Sequence, residues 1–130
     1  MKRLCLTILA SSALSGCIFT AQFDSVEYSY VTQLRTMSFS SKEYCGDASY
    51  MRVRSQQLYE LSLALLHYAE YLPRNEPTFL MAKELQEIIE PLKNRYHSNI
   101  QVSETYCKNK MNNIIDNAIV MQKSMNKRSR

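Results

Sequence analysis

Apolar residues recur at helical spacing in separate stretches of this chain. The first stretch follows Asp24, a residue type that favours a helix N-cap, and its apolar positions advance by four, four and three residues: Val26, Tyr30, Leu34 and Met37. The last stretch follows Ser103 and repeats at alternating intervals of four and three residues: Cys107, Met111, Ile114, Ala118, Met121 and Met125. Each row predicts an amphipathic helix with one face in a core.

Two more helices are predicted between these stretches. The longest follows the turn at residues 45–47, and its main apolar face carries Met51, Leu58, Leu61, Leu65, Tyr68 and Leu72. Pro73 ends it, and Asn75 begins a third helix with a face of Leu85, Ile88, Leu92 and Tyr96. With 2 Gly and 3 Pro in 130 residues, the chain has few of the turn residues that a β-sandwich needs. The sequence therefore predicts an all-α domain, a small four-helix domain over residues 24–126.

The first residues have the organisation of an export signal. Lys2 and Arg3 precede a short apolar segment and a run of small residues, and this segment is too short to span a membrane. Leu14-Ser15-Gly16-Cys17 resembles a bacterial lipobox, in which the Cys is acylated and becomes the new N-terminus. We therefore expect residues 1–16 to be removed and residues 17–23 to form a lipidated tether. The alternative is a non-lipid cleavage site followed by an ordinary thiol at Cys17. Because Ile18 rather than Asp follows Cys17, the resemblance implies the outer membrane, with the protein facing the periplasm.

The remaining cysteines predict one disulfide. Cys5 leaves with the signal and Cys17 is assigned to the lipid, so Cys45 and Cys107 remain as a pair in an oxidising compartment. A metal site or a catalytic thiol is disfavoured, because neither residue has a second Cys or His at ligand spacing. The domain is therefore expected to be cross-linked by one disulfide between its second and fourth helices.

Charge is distributed unevenly along the mature chain. Residues 17–130 contain 14 basic and 12 acidic residues, whereas residues 108–130 contain six basic residues against Asp116. A basic helix end could bind phosphate headgroups, and nucleic acid is not expected in the periplasm. We favour a solvated helix end followed by a frayed basic tail at residues 127–130.

The sequence contains no recognisable catalytic constellation. His67 and His97 are the only imidazoles, and there is no HExxH, Gly-rich phosphate loop or G-x-S-x-G sequence. His67 is expected at the core boundary and His97 at a helix end. We expect no cofactor, no metal and no enzymatic activity.

Apolar and tyrosine side chains exceed what one core face per helix requires. Such a surplus is typical of surfaces that receive a partner helix, because tyrosine suits positions that are part apolar and part wet. The predicted partner groove is lined by Leu34, Leu61, Leu65, Tyr68, Leu85 and Ile88. The same surplus could instead cover the core of a small domain with a high surface-to-volume ratio.

The order of these features resembles one lipoprotein family. A lipobox, a first helix with Gln33-Leu34, Cys45 before a polar turn, a long Leu- and Ala-rich helix, an acidic helix ending in Tyr96 and a last helix opened by Cys107 are together similar to the pilotins of type II secretion systems, the PulS/OutS group. The resemblance covers essentially all of the mature chain. Where such pilotins often carry Trp after the second helix, this chain has Tyr71.

The resemblance implies a lipid-anchored helical chaperone. Such a protein binds the C-terminal segment of its secretin as a helix in a groove, reaches the outer membrane through the lipoprotein sorting machinery, and promotes secretin targeting and assembly there. The alternative for a chain of this build is an outer-membrane lipoprotein that blocks a phage or conjugation receptor.

Overall fold

Four α-helices make up most of the computed structural model, which describes residues 21–130. They are α1 (Ser25–Ser41), α2 (Ala48–Tyr71), α3 (Glu76–His97) and α4 (Glu104–Met125), and a short 3-10 helix (Lys42–Tyr44) follows α1. No strand occurs within these described residues, so the all-α prediction is confirmed. The predicted signal peptide, Cys17 and most of the predicted tether lie outside the described residues.

Local side-chain hydrogen bonds explain where three of the helices begin. The carboxylate Oδ1 atoms of Asp24 and Asp47 accept backbone N–H groups at 2.8 and 3.0 Å, and Ser103 Oγ does the same at 3.2 Å. These bonds satisfy N–H groups that the first turn of a helix leaves without partners. The predicted starts at Asp24 and Ser103 are therefore confirmed. Pro77 occupies the first turn of α3, and Asn75, which precedes it, uses its side chain elsewhere.

Each helix buries one row of residues spaced alternately by four and three positions. Such spacing keeps a row parallel to the helix axis, as in coiled coils and four-helix bundles. The rows are Glu27, Val31, Leu34, Ser38 and Ser41 in α1; Met51, Ser55, Leu58, Ser62, Leu65 and Ala69 in α2; Thr78, Ala82, Leu85, Ile89, Leu92 and Tyr96 in α3; and Cys107, Met111, Ile114, Ala118, Met121 and Met125 in α4. The predicted α4 row is confirmed residue by residue.

The predicted α1 row is wrong by about one position. Val26 is exposed, Tyr30 and Met37 are half-buried, and the core row passes instead through Glu27 and Ser38. Ser41, which ends the row, is accommodated because its Oγ donates to Met37 O of its own helix at 2.6 Å. Ser38 Oγ is buried without a hydrogen-bond partner among the described residues. Because some residues of the core row are polar, the pattern of apolar residues did not identify the row correctly.

The helices form a ring in which each packs against two neighbours. The contact between α2 and α3 is the most extensive, followed by that between α1 and α4, whereas the α1–α2 and α3–α4 contacts are smaller. Ser55, Ser62 and Ala69 let α2 approach its neighbours closely, because their side chains are short. The short connections between successive helices give an up-down-up-down bundle.

Cys45 and Cys107 form the predicted disulfide. It joins residues 62 positions apart and links the segment after α1 to the first turn of α4. The Tyr96 hydroxyl, from the end of α3, donates to Cys45 O at 3.3 Å. We call this part of the bundle the disulfide end.

The first and last described segments, residues 21–23 and 126–130, meet at the other end of the bundle, which we call the terminal end. Residues 126–130, here named the C-terminal strap, turn back across it: Ser129 O accepts from Phe23 N at 2.9 Å, and the Arg128 side chain is only 8% exposed. The prediction of a frayed tail at residues 127–130 is therefore wrong at Arg128 and Ser129, because the strap finds partners inside the bundle. Ala21 is also buried, so packing begins before the predicted domain start at residue 24.

Candidate functional site

The six residues predicted to line a partner groove do not form one surface. Leu34, Leu65 and Leu85 are completely buried on the core rows, so no partner reaches them. Leu61 and Tyr68 are half-buried on α2. Ile88 is half-buried on α3, one heptad before Arg95, whose guanidinium lies over the ring of Tyr106 in α4. Ile88 therefore lies beside α4, away from Leu61 and Tyr68.

A continuous surface does run between α1 and α2. Tyr30 and Tyr68 meet across this junction with ring centroids 5.9 Å apart, and Met37 and Leu61 pack partly against the core. Positions spaced by four and three residues extend these contacts along both helices. We name this surface the α1–α2 groove: Val26, Tyr30, Gln33, Met37 and Ser40 on α1, and Tyr50, Arg54, Gln57, Leu61, Ala64, Tyr68 and Tyr71 on α2.

The α1–α2 groove is almost free of charge. Arg54 is the only charged residue of the set, and its guanidinium is engaged by the Tyr50 hydroxyl at 2.8 and 3.2 Å. Tyr44 stacks on Tyr50 with centroids 4.4 Å apart, so two aromatic rings lie at the disulfide end of the groove. At the terminal end Tyr71 is 86% exposed. A neutral strip of tyrosine, methionine and leucine suits an apolar partner better than a charged one.

Tyr68 marks the terminal end of the groove with a polar contact. Its hydroxyl donates to Asp24 Oδ2 at 3.1 Å, while Asp24 Oδ1 caps α1. Burial, and then the hydrogen bond to Asp24, raise the pKa of Tyr68 above its usual value. The side chain therefore remains a neutral donor at physiological pH.

The terminal end also contains a set of buried polar residues that the sequence did not predict. Glu27 is completely buried, and its Oε2 accepts from Arg128 Nη1 at 2.9 Å. The other terminal nitrogen of Arg128 donates to Asn75 Oδ1 at 2.9 Å and also to Thr78 Oγ1. We name these four residues the terminal polar cluster. The one signal in the sequence was Glu27, which lies on the four-and-three row that contains Val31 and Leu34.

An open cleft of about 220 Å³ adjoins this cluster. It is lined by residues 21–24 on one side and by Leu72, Pro73 and Arg74 on the other. Arg74 has a positive φ of 58°, which places it in the left-handed region between α2 and α3. The cleft thus lies where the N-terminal segment passes the α2–α3 turn.

Potential metal ligands do not cluster in the part of the chain that the structure describes. Within residues 21–130 no group of three or more His, Cys, Asp or Glu side chains converges to hold a metal ion. His67 is exposed rather than at the core boundary, and its Nδ1 lies 3.9 Å from Glu70. His97 ends α3 as predicted, with Nε2 3.2 Å from Arg52 O. Among the described helices none is long and apolar enough to cross a membrane.

Comparison with known proteins returned no relatives. No protein-family model, curated protein or solved structure matches the chain.

Proposed function

We propose that this protein is an outer-membrane lipoprotein that acts as a pilotin-like receptor for a secretin. In this proposal it binds the C-terminal segment of the secretin as a helix in the α1–α2 groove and promotes targeting and assembly of the secretin in the outer membrane. The role is that of a binding protein, without catalysis.

The observation that carries the proposal is the neutral, half-buried surface between α1 and α2. Tyr30, Met37, Leu61 and Tyr68 offer apolar area at a junction where the two helices pack less extensively than α2 packs on α3. A segment that is disordered on its own can fold on binding, because one apolar face of the helix that it forms becomes buried in such a groove. Tyrosines at the margin can bond to polar groups of the bound helix.

The length of the groove supports a single short helix as its occupant. From Tyr50 to Tyr71 the groove follows α2 for 21 helical steps, or about 31 Å at about 1.5 Å per residue. A partner helix of about 15 to 20 residues spans about 22 to 30 Å at the same rise. A C-terminal secretin segment of that size would fill the groove without overhanging either end.

The proposed lipid anchor rests on the sequence, and the proposed compartment rests on the sequence and on the disulfide. A lipid on Cys17 would hold the domain at the periplasmic face of the outer membrane after transport by the lipoprotein sorting machinery. The Cys45–Cys107 disulfide agrees with an oxidising compartment. Cys17→Ser should leave the protein unacylated and absent from the membrane fraction. Unchanged membrane fractionation of this variant, with no acyl mass on the wild-type protein, would rule the anchor out.

A binding experiment with matched variants tests the groove. A fluorescent secretin C-terminal peptide of about 15 to 20 residues should bind the wild-type protein and gain helical circular dichroism. Leu61→Glu should weaken binding at least about tenfold, because a charge must then be desolvated in an apolar contact. Ile88→Glu is the control, since Ile88 is also half-buried but lies on the side of α3 that faces α4. Both variants must show the wild-type helical content.

Equal losses in the two variants, or no binding at all, would contradict the proposed groove. In cells, deletion of the protein should prevent secretin multimers from reaching the outer membrane. If the multimers still arrive, and the protein instead confers resistance to infection or mating in cells without a secretin, it is a receptor-blocking lipoprotein.

A further inference from the structure

The terminal polar cluster has the geometry of a receptor for a guanidinium group. Three oxygen acceptors surround the two terminal nitrogens of Arg128: Glu27 Oε2 takes one, and Asn75 Oδ1 and Thr78 Oγ1 share the other. The Glu27 side chain is 0% exposed and that of Arg128 is 8% exposed. A planar fork of donors matches this arrangement, whereas an ammonium group has a single nitrogen.

Two of the three acceptor residues, Glu27 and Asn75, also have hydrogen bonds that do not involve Arg128. Asn75 Nδ2 donates to Glu27 Oε1 at 2.6 Å and to Ala69 O at 3.1 Å, which fixes both the amide and the carboxylate. Glu27, Asn75 and Thr78 come from α1, the α2–α3 turn and α3. The site is therefore built by the bundle itself and is filled by a residue from the strap.

The strap has few other attachments to the bundle. Lys127 N and Arg128 N bond to Ser124 O and Met125 O of the preceding turn, and Ser129 O accepts from Phe23 N. The Arg130 guanidinium lies 5.2 Å from the centroid of the Phe23 ring, and Arg130 is otherwise exposed. Arg128 is thus the main side-chain attachment of the strap, and the strap in turn holds the segment at residue 23.

We propose that Glu27, Asn75 and Thr78 form a guanidinium-binding site that the chain's own Arg128 occupies and that an arginine side chain of another molecule occupies when the strap is released. Exchange of the two guanidinium groups keeps Glu27 paired, so it avoids leaving a buried charge without a partner. Release of the strap also removes the Ser129 contact from Phe23. An arginine-bearing partner would in this way change how residues 21–24 leave the bundle. The inference does not depend on the α1–α2 groove.

Chemical rescue tests the site. In the full chain carrying Arg128→Ala, about 50 mM ethylguanidinium should raise Tm by about 4 °C or more, since it stabilises the folded state that binds it. Ethylammonium at the same concentration should produce no such rise. Arg130→Ala is the matched control, because Arg130 lies outside the cluster and its loss should leave nothing to rescue. The double variant Glu27→Gln/Arg128→Ala should also lose the rescue.

Several outcomes would overturn the site. They are the absence of a Tm rise in Arg128→Ala, an equal rise with ethylammonium, and an equal rise in Arg130→Ala. If Arg128→Ala is unfolded alone, the same titration is followed by far-ultraviolet circular dichroism. Recovery of helix with ethylguanidinium alone then supports the site, and its absence refutes it.

Hydrogen exchange at Phe23 tests whether the strap is released. The Phe23 amide should exchange faster in Arg128→Ala, and ethylguanidinium should restore Tm without restoring this protection, because a small cation does not bring back the strap. Unchanged protection of Phe23 in Arg128→Ala would show that Arg128 does not hold the strap in place.

Discussion

The two ends of the bundle join α1 to α4 by different means. At the disulfide end the link is the covalent bond between Cys45 and Cys107, whereas at the terminal end it is the ion pair between Glu27 and Arg128. The first withstands any ligand until it is reduced. The second depends on hydrogen bonds from the Arg128 guanidinium, and the guanidinium of another arginine can form the same bonds. The comparison indicates that the disulfide end is fixed and that the terminal end can exchange its partner.

The largest effect is expected from removing the covalent link. Replacing both cysteines by Ala should lower the free energy of unfolding by about 4 kcal/mol, because the unfolded chain regains the freedom of the closed loop. Urea unfolding of the double variant against the oxidised wild type measures this. A loss below about 1 kcal/mol would mean that the disulfide end does not depend on its cross-link.

Breaking the ion pair should cost somewhat less. Arg128→Ala leaves a completely buried Glu27 without its cation, for which we expect a loss of about 3 kcal/mol, at the lower end of measured cases because water can enter beside a released strap. Arg130→Ala, measured in the same urea titration, should change stability by less than about 1 kcal/mol. Similar losses in the two variants would remove the distinction between buried and exposed arginines of the strap.

Alkaline pH should weaken both ends through one tyrosine each. Burial raises the pKa of Tyr96 at the disulfide end, with a further contribution from Tyr106, and burial and Asp24 raise the pKa of Tyr68 at the terminal end. Because the unfolded tyrosines ionise first, stability is complete below about pH 10 and falls as pH rises through the folded-state values. Tyr96→Phe and Tyr68→Phe should each flatten this decline in thermal melts taken between neutral and alkaline pH. If neither does, the decline has another origin.

The smallest effect is expected at the start of α2, from protonation of Asp47 at acidic pH. The hydrogen bond from Tyr50 N, and then that from the Ser49 hydroxyl, lower the pKa of Asp47 from 3.8. Its stabilising contribution is therefore present above that value and is lost as pH falls through the lower folded-state pKa. Asp47→Asn, which retains a capping oxygen, should be less sensitive to acid than the wild type in thermal melts. An unchanged acid profile would assign the sensitivity to other carboxylates.

The helix boundaries could be predicted because their signals are local, and the disulfide could be predicted because Cys45 and Cys107 remained as a pair once Cys5 and Cys17 had been assigned. Caps at Asp24 and Ser103, the break at Pro73 and the four-and-three row of α4 depend on neighbouring residues alone. The α1 row was misplaced because Glu27 and Ser38 occupy core positions that a search for apolar residues passes over. The groove was misassigned because Leu65 lies in the core and Ile88 lies on the side of α3 that faces α4, and only the packing of the helices decides which side faces which neighbour. The pairing of Glu27 with Arg128 spans 101 positions, beyond the reach of any local pattern.

The two links between α1 and α4 also determine how the molecule would carry mechanical tension. Together with the two helices they close a ring: α1, the disulfide, α4, and the contact of Arg128 with Glu27. A pull on the segment at residue 23 enters this ring at the terminal end and is shared between α1 and the strap. The α2–α3 hairpin branches from the ring between Cys45 and Cys107, so it lies outside the load-bearing path. If the domain were pulled by the segment at residue 23, the α2–α3 hairpin would carry no tension.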